Sequence, residues 1–260
     1  MKRKITSEII RNEMISDGIF SMWIKTDLHS EVKPGQFVGL YPANASTLLP
    51  RPISICETDH AGGAIRLVYR VVGKGTDEFS KMKATDKVDV LGILGNGYDL
   101  STADNRLSIT LMAGGIGIPP MLQLAKELSL SGHKISIVVG YRNNETFLSE
   151  ELGTYGEVFI ATDDGSVGFK GNVIDALDAY KLKPDIIYAC GPMPMLRGVK
   201  AYSTVNSIPA YISLEERMAC GVGACLGCVC KTVNKDHHSH VNNARICTDG
   251  PVFNAAEVDI

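Results

Sequence analysis

The sequence predicts a multidomain chain: an antiparallel β-barrel over 1–100, a parallel α/β domain over 101–210 and a small cysteine-bearing domain over 211–260. Three observations predict it. The first hundred residues alternate short β-branched runs with turn signals. From Leu107 onward, apolar strands alternate with helix-like segments. Four of the seven cysteines then fall within eleven residues, Cys220 to Cys230.

Ile5, Ile9 and Ile10 suit an opening strand, followed by the runs Met22–Thr26 and Gln36–Leu40. Ile65–Val72 carries apolar side chains at every second position, as a strand with one buried face requires, and Lys87–Leu91 repeats the alternation. Lys33-Pro34-Gly35, Ala61-Gly62-Gly63, Gly73-Lys74-Gly75 and Gly95-Asn96-Gly97 punctuate these runs. Short strands at such spacing suggest a small barrel.

Leu107–Ala113 reads as a buried strand, and Pro119–Leu128 as a helix with proline in its first turn. Strands at Lys134–Gly140, Glu157–Ala161 and Pro184–Cys190, with a helix at Val173–Leu177, continue a unit of Rossmann type that ends near Pro209. The last 51 residues are too few for a large core of their own.

Composition narrows the function classes. Hydrophobic residues make up 45% and charged residues 21%, an ordinary globular balance. A net charge of -3 offers no positive field for nucleic acid. No apolar run reaches the roughly 18–20 residues that span a bilayer. The basic start Met1–Lys4 lacks the apolar core of a secretory signal. An odd cysteine count with one dense cluster argues against a disulfide framework. A cytoplasmic protein without membrane insertion is expected.

Cys220, Cys225 and Cys228, with Cys247 nineteen positions further on, reproduce the C-x4-C-x2-C…C spacing of plant-type [2Fe–2S] proteins. Gly221, Gly223 and Gly227 let that loop curl so that backbone N–H groups point at the sulfurs. Structural zinc is the competing reading, but zinc knuckles pair C-x2-C motifs and only one is present. Cys230 competes with Cys247 as fourth ligand. A strand there would turn it to the face opposite Cys228, which favours Cys247. His237, His238 and His240 invite a Rieske-like reading; four cysteines already suffice, so they read as a solvated loop.

Gly114-Gly115-Ile116-Gly117 lies between a strand and a helix, where glycine lets a pyrophosphate approach the backbone. Cys190-Gly191-Pro192 ends another strand of the same unit, so both turns border one crevice beyond the strand carboxyl ends. Arg51 suits a diphosphate, Ser54 a flavin ring edge, and the Gly75-Thr76 backbone a phosphate. Taken singly, Arg51 reads as a surface charge, Tyr69 as core, Cys190 as a small buried thiol, and Met193 and Met195 as ordinary core.

Together these motifs resemble the ferredoxin–NADP reductase superfamily over nearly the whole chain. The tail from Glu215 to Cys228 narrows the resemblance to the electron-transfer subunits of class 1B dihydroorotate dehydrogenases. The resemblance implies FAD, NAD and a [2Fe–2S] cluster. It implies FAD contacts at Arg51, Pro52, Ile53 and Ser54, at Val68, Tyr69 and Arg70, and at Gly75 and Thr76. It implies cluster ligands at Cys220, Cys225, Cys228 and Cys247, and a nicotinamide pocket at Cys190. It further implies an FMN-containing catalytic partner that oxidises dihydroorotate in pyrimidine (UMP) biosynthesis, in a heterotetramer of two copies of each chain. No acid–base residue for dihydroorotate is evident in this chain. The Lys231–Ile246 loop is long for the pattern. Two alternatives stay open: a small subunit of an NAD(P)H:ferredoxin oxidoreductase or hydrogenase, and a redox sensor without turnover. Arg142, after the Ile135–Gly140 strand run, keeps NADP in play.

Overall fold

The computed structural model describes residues 2–44, 47–100, 107–235 and 240–260. The chain opens with β1 (Arg3–Ser16), β2 (Ile19–Lys25), β3 (Phe37–Tyr41), β4 (Arg51–Asp59), β5 (Ala64–Arg70), helix α1 (Lys74–Ser80) and β6 (Lys87–Leu94). The six strands close into an antiparallel barrel in the order β1-β2-β5-β4-β3-β6. The alternation read at Ile65–Val71 has its cause here. Ile65, Leu67 and Tyr69 enter a core shared with Met22, Ile24 and Val38. β4 runs through the Arg51–Ser54 motif, so that motif is itself a barrel strand. Gly73 precedes α1, and the Thr76 hydroxyl accepts hydrogen bonds from the Val72 and Gly73 N–H groups at 3.0 and 3.3 Å. The Gly73-Lys74-Gly75 turn signal therefore marks a helix start.

The second unit contains β7 (Ser108–Gly114), α2 (Pro119–Leu130), β8 (Lys134–Tyr141), α3 (Ser149–Gly153), β9 (Glu157–Thr162), β10 (Phe169–Lys170), α4 (Val173–Ala179), β11 (Ile186–Cys190), α5 (Met193–Asn206) and β12 (Ala210–Ser213). The tail adds β13 (Val229–Lys231), β14 (Asn243–Arg245) and β15 (Val252–Asn254). The large sheet has the order β10-β9-β8-β7-β11-β12-β15. All its neighbours are parallel except β15, which runs antiparallel to β12. The tail thus lends β15 to the α/β sheet, while β13 and β14 form a two-stranded sheet of their own. Ile246, Cys247 and Val258 are buried in the same core as Ile187, Leu196 and Ile212.

Barrel and sheet are fastened by charge. Arg66 on β5 is buried and pairs with Glu151 of α3 through both of its terminal nitrogens. Glu57 on β4 lies 3.6 Å from Arg66 and 3.1 Å from Lys126 of α2. The Thr58 N–H donates to Gln123 Oε1 at 3.0 Å. Removing one partner of a buried pair strands the other charge. Glu151 is about half exposed and Glu57 remains, so the cost is scaled down. We expect Glu151→Ala to lose about 2 kcal/mol of stability, read as an earlier urea midpoint. An unchanged midpoint would show that the pair contributes nothing net.

Candidate functional site

β7 continues to β8 on one side of the sheet, whereas β11 and β12 lie on its other side. The crevice beyond the carboxyl ends of β7 and β11 is therefore the switch point where open α/β sheets hold ligands. Gly114 closes β7 and Cys190 closes β11, and their strands pair directly, with Ala113 opposite Cys190. The two turns touch. A Cβ on Gly117 would lie 2.4 Å from the Cys190 carbonyl oxygen, and one on Gly191 would lie 3.1 Å from the Gly114 nitrogen and 2.6 Å from Met195 Cε. Only glycines permit this junction. Met195, on the first turn of α5, is thus the floor beneath both turns rather than remote core.

A cleft of about 2190 Å³ runs from this junction to the barrel. That exceeds the roughly 300–1,000 Å³ of a single small-molecule pocket. Its barrel wall includes Arg51, Pro52, Ile53 and Ser54 on β4, Val68, Tyr69 and Arg70 on β5, and Thr76 on α1. Its sheet wall includes Gly114, Gly115, Gly117, Cys190, Gly191 and Pro192. Gly75 is absent from the lining, but it lies under Arg51. A Cβ there would be 2.7 Å from Arg51 Nε, and the Arg51 Nη1 donates to the Leu49 carbonyl at 2.6 Å. Arg70 reaches across the cleft, its Nη2 lying 3.8 Å from where a Gly115 Cβ would be. Among the described residues neither arginine has a carboxylate partner. Two unpaired guanidinium groups beside glycine turns and the start of a helix suit phosphate oxygens. Tyr69 keeps its ring in the barrel core against Phe79, so it can offer the cleft only its backbone side.

Cys190 lies at the cleft floor. Burial pushes its thiol up to about 12, against a hydrogen bond from Ser213, so it stays a neutral thiol at physiological pH. Ser213, Glu215 and Arg217 on the returning chain, and Asn172, Asp175 and Tyr202 on α4 and α5, also line the cleft. Glu215 and Arg217 belong to the tail motif, whereas Ser213, Asn172, Asp175 and Tyr202 carry no motif and only the chain path brings them there. Arg142 is exposed at the end of β8 and lines the cleft as well. Asp163 stands beside it, its N–H donating to the Tyr141 carbonyl at 3.1 Å.

The four spaced cysteines form two pairs, Cys220 with Cys225 and Cys228 with Cys247, on a loop that packs against Leu91 and Leu94 of the barrel. Gly221 and Gly223 take positive φ angles of 67° and 85°, which curls the loop as expected, whereas Gly227 does not. The Val222 N–H points at Cys220 Sγ and the Gly227 N–H at Cys225 Sγ, both at 3.4 Å. β13 and β14 pair antiparallel within the eighteen-residue gap between Cys228 and Cys247, and the Ile246 N–H bonds to the Cys228 carbonyl at 2.9 Å. Cys220 hydrogen-bonds Cys225, and Cys247 hydrogen-bonds Cys228. Burial is the largest single influence on Cys220 and pushes it up, but the backbone groups of Val222, Cys225 and Ala224 and the Cys225 thiol together outweigh it and pull the thiol down to about 6. Burial and the Cys228 thiol push Cys247 up to about 11. One thiolate is ready at neutral pH, and a second negative charge beside it needs a cation to balance it. No three His, Cys, Asp or Glu side chains among the described residues converge as a single metal ion requires. Two thiol pairs suit a cluster with two irons better than one tetrahedral zinc. Cys230 sits in β13 and packs toward the α/β core. His237 and His238 lie outside the described residues; His240 is exposed.

Comparison with known proteins decides the family. A model described as the iron-sulfur cluster binding domain of dihydroorotate dehydrogenase B matches residues 215–259. One described as an oxidoreductase NAD-binding domain matches residues 111–201. The dihydroorotate dehydrogenase B (NAD(+)) electron transfer subunit of Listeria monocytogenes is 41% identical over 254 residues, covering 97% of this chain and 98% of that protein. The Bacillus caldolyticus counterpart is 42% identical over 253 residues, 96% of each chain.

The chain belongs to the family of dihydroorotate dehydrogenase B electron transfer subunits.

Membership makes it an oxidoreductase subunit of the superfamily its motifs resemble. The structure of an NADH-dependent reduced ferredoxin–NADP oxidoreductase, solved in work on flavin-based electron bifurcation, superposes with a TM-score of 0.86. It is 30% identical, and the match covers 97% of this chain and 89% of that one. A ferredoxin NADP+ reductase from Neisseria gonorrhoeae, with bound FAD and NADP, superposes at 0.66 with 15% identity over 82% and 94% of the two chains. That likeness is one of fold.

Proposed function

We propose that this chain carries electrons from the FMN of a dihydroorotate dehydrogenase catalytic subunit, through a [2Fe–2S] cluster and FAD, to NAD. The single observation that carries the reading is the continuous cleft. It joins the Arg51–Ser54 strand and Arg70 to the Gly114–Gly117 and Cys190–Pro192 turns, and the thiol loop packs behind the same barrel.

FAD, when bound, would exchange hydride with nicotinamide and single electrons with an iron–sulfur centre. The chain's own residues do the holding. Arg51, with the Gly75-Thr76 turn, would neutralise and orient the flavin's diphosphate. Pro52, Ile53 and Ser54 would border the ring, with Ser54 hydrogen-bonding its edge. Val68 to Arg70 would line the opposite wall. Gly114, Gly115 and Gly117 would admit the nicotinamide nucleotide, with Gly191 and Pro192 shaping the far side. Cys190, held as a thiol, would present a small neutral surface there. Asp163 beside Arg142 supports NAD over NADP, because a 2′-phosphate would meet a carboxylate. Cys220, Cys225, Cys228 and Cys247 would hold the cluster.

Leu226 is 62% exposed and Val222 is 40% exposed, both beside the exposed Cys225. This apolar rim supports an approach of the catalytic subunit at the cluster end. Dihydroorotate would be oxidised on that subunit. The complex would be a heterotetramer of two copies of each chain, in the cytoplasm; no described helix is long and apolar enough to cross a membrane.

The test is reconstitution. The FAD- and cluster-loaded chain is mixed with its host's FMN subunit, and dihydroorotate-dependent NAD reduction is followed at the NADH absorbance band. Turnover that needs both chains is expected. Orotate formed by this chain alone would overturn the division of labour. No turnover, with NADH still bleaching the flavin, would move the partner assignment to a ferredoxin-type complex, the activity named for the 30%-identical structural neighbour.

A further inference from the structure

One row of side chains joins the cleft to the thiol loop. On three adjacent barrel strands, Ser54 of β4 pairs with Phe37 of β3, and Phe37 pairs with Leu94 of β6. Directly opposed residues share a face of the sheet. Ser54 and Phe37 line the cleft, and Leu94 does not. Leu94 is buried, and the next layer beyond it is the thiol loop itself. A Cβ on Gly221 would lie 3.1 Å from Leu94 Cδ1 and 3.7 Å from Leu91 Cδ2. Gly221 adjoins Cys220. Two strand spacings, roughly 10 Å, separate the backbones of Ser54 and Leu94.

The contact is held from both sides. Gly95, at φ 74°, lets Phe37 and Pro251 close over the end of β6; a Cβ there would lie 2.5 Å from Pro251 Cδ and 2.9 Å from Phe37 Cε1. The Asn96 N–H donates to the Gly250 carbonyl at 2.6 Å. The Asn96 amide donates to the Thr248 and Asp249 carbonyls at 3.1 and 3.2 Å, just past Cys247. The segments beside Cys220 and Cys247 are thus both pinned to the barrel end that borders the cleft.

From this we infer that the Phe37–Leu94 layer is the wall the electron crosses between flavin and cluster, and that Gly221 sets its thickness as a positioning residue. The inference rests on the proposed flavin and cluster sites. In the direction convenient to measure, NADH first delivers a hydride to FAD and leaves as NAD+. One electron then passes from the reduced flavin to the oxidised cluster, one iron(III) becoming iron(II), and no proton need move. A methyl group at 221 would press on Leu94 and push the loop outward.

The test uses the cofactor-loaded chain under anaerobic rapid mixing with NADH, following flavin bleaching and cluster reduction separately. Gly221→Ala should slow cluster reduction several-fold and leave the preceding flavin bleaching as in the native chain. Its cluster should keep its electron paramagnetic resonance signature, and the slowing should exceed what any shift of midpoint potential in a redox titration accounts for. Leu94→Val removes the methyl that the new Cβ meets, so the G221A/L94V double variant should recover the rate. Its melting temperature should stay lowered, because the positive φ still strains an alanine. Recovery of rate without recovery of stability separates spacing from folding. Should G221A fail to take up iron, Leu94→Phe, which presses on the same contact from the barrel side, is read instead and must show the same slowing. Cluster reduction at the native rate in a loaded G221A or L94F protein overturns the wall. A native chain whose flavin or cluster does not load, or whose flavin NADH cannot bleach, overturns the proposed function itself and the wall with it.

Discussion

Cys247→Ser is expected to yield a folded chain that keeps FAD and is still bleached by NADH, but has lost the visible absorption and most of the iron of its cluster. Dihydroorotate-dependent NAD reduction in the reconstituted complex should fall to background. Cys230→Ser should keep both signals. Both cysteines pack on the α/β core, but only Cys247 hydrogen-bonds the Cys228 thiol. Cys247 is buried against Cys228, which reaches it because the β13–β14 hairpin folds the intervening chain back. Cys230 lies within β13 and packs toward the α/β core beside Ala244. Iron binding needs thiolates, and a cluster lacking one of four is open to water. Iron content and the visible circular dichroism spectrum decide the matter. A Cys247→Ser protein with a full cluster, or a Cys230→Ser protein without one, would exchange the two roles.

What the sequence reveals about this fold depends on how local each requirement is. The alternation at Ile65–Val71 is legible because one side of β5 fills the barrel, so every second residue has to be apolar. β4 is harder to see. Its Pro52 argues against a strand, and its Arg51 and Ser54 draw attention as a binding motif. The proline fits because β4 meets β3 at Pro52 opposite Gly39, a residue without a side chain. α1 hides behind two glycines, which look like a turn; Gly75 is needed because the Arg51 guanidinium and the Pro42 ring rest against it. β12 and β15 are four and three residues long, too short for any periodicity to register.

The site divides the same way. Glycine turns and cysteine spacing announce themselves, because backbone approach and metal ligation restrict residue type at each position. Ser213, which hydrogen-bonds Cys190, has no such mark. It arrives at the cleft because β12 pairs in parallel with β11, bringing Ser213 opposite Cys190. Tyr202 and Asp175 likewise reach the cleft through the placement of α5 and α4. The pinning of the thiol loop to the barrel is of this kind too. Nothing in Asn96 or Leu94 as residue types points to a cluster 150 positions away in the chain (Asn96 to Thr248 spans 152).

Gly117→Ala should be the most damaging single-methyl change at the two glycine turns of the cleft. The added Cβ would lie 2.4 Å from the Cys190 carbonyl oxygen, 2.5 Å from its carbon and 2.6 Å from the Gly191 nitrogen. All three are backbone atoms of the neighbouring turn, so no rotamer change relieves the overlap. The Gly114–Gly117 turn and the Cys190–Pro192 turn would have to separate, and the crevice between β7 and β11 is where the nucleotide is proposed to bind. Forcing a methyl group into packed backbone costs about 3 kcal/mol. Gly132→Ala is the matched control. It has nothing within 4 Å, and its φ of 77° alone costs about 1–2 kcal/mol. The two variants should therefore differ modestly in melting temperature and sharply in function. G117A should require far more NADH to bleach its flavin, whereas G132A should titrate as the native chain does. The separation matters because both variants lose stability, G117A by overlap and G132A by its positive φ, and only the first loss falls between the two turns. If G117A reduces its flavin at native NADH concentrations, the crevice is not the nicotinamide site, and the contact between the two turns serves the fold alone.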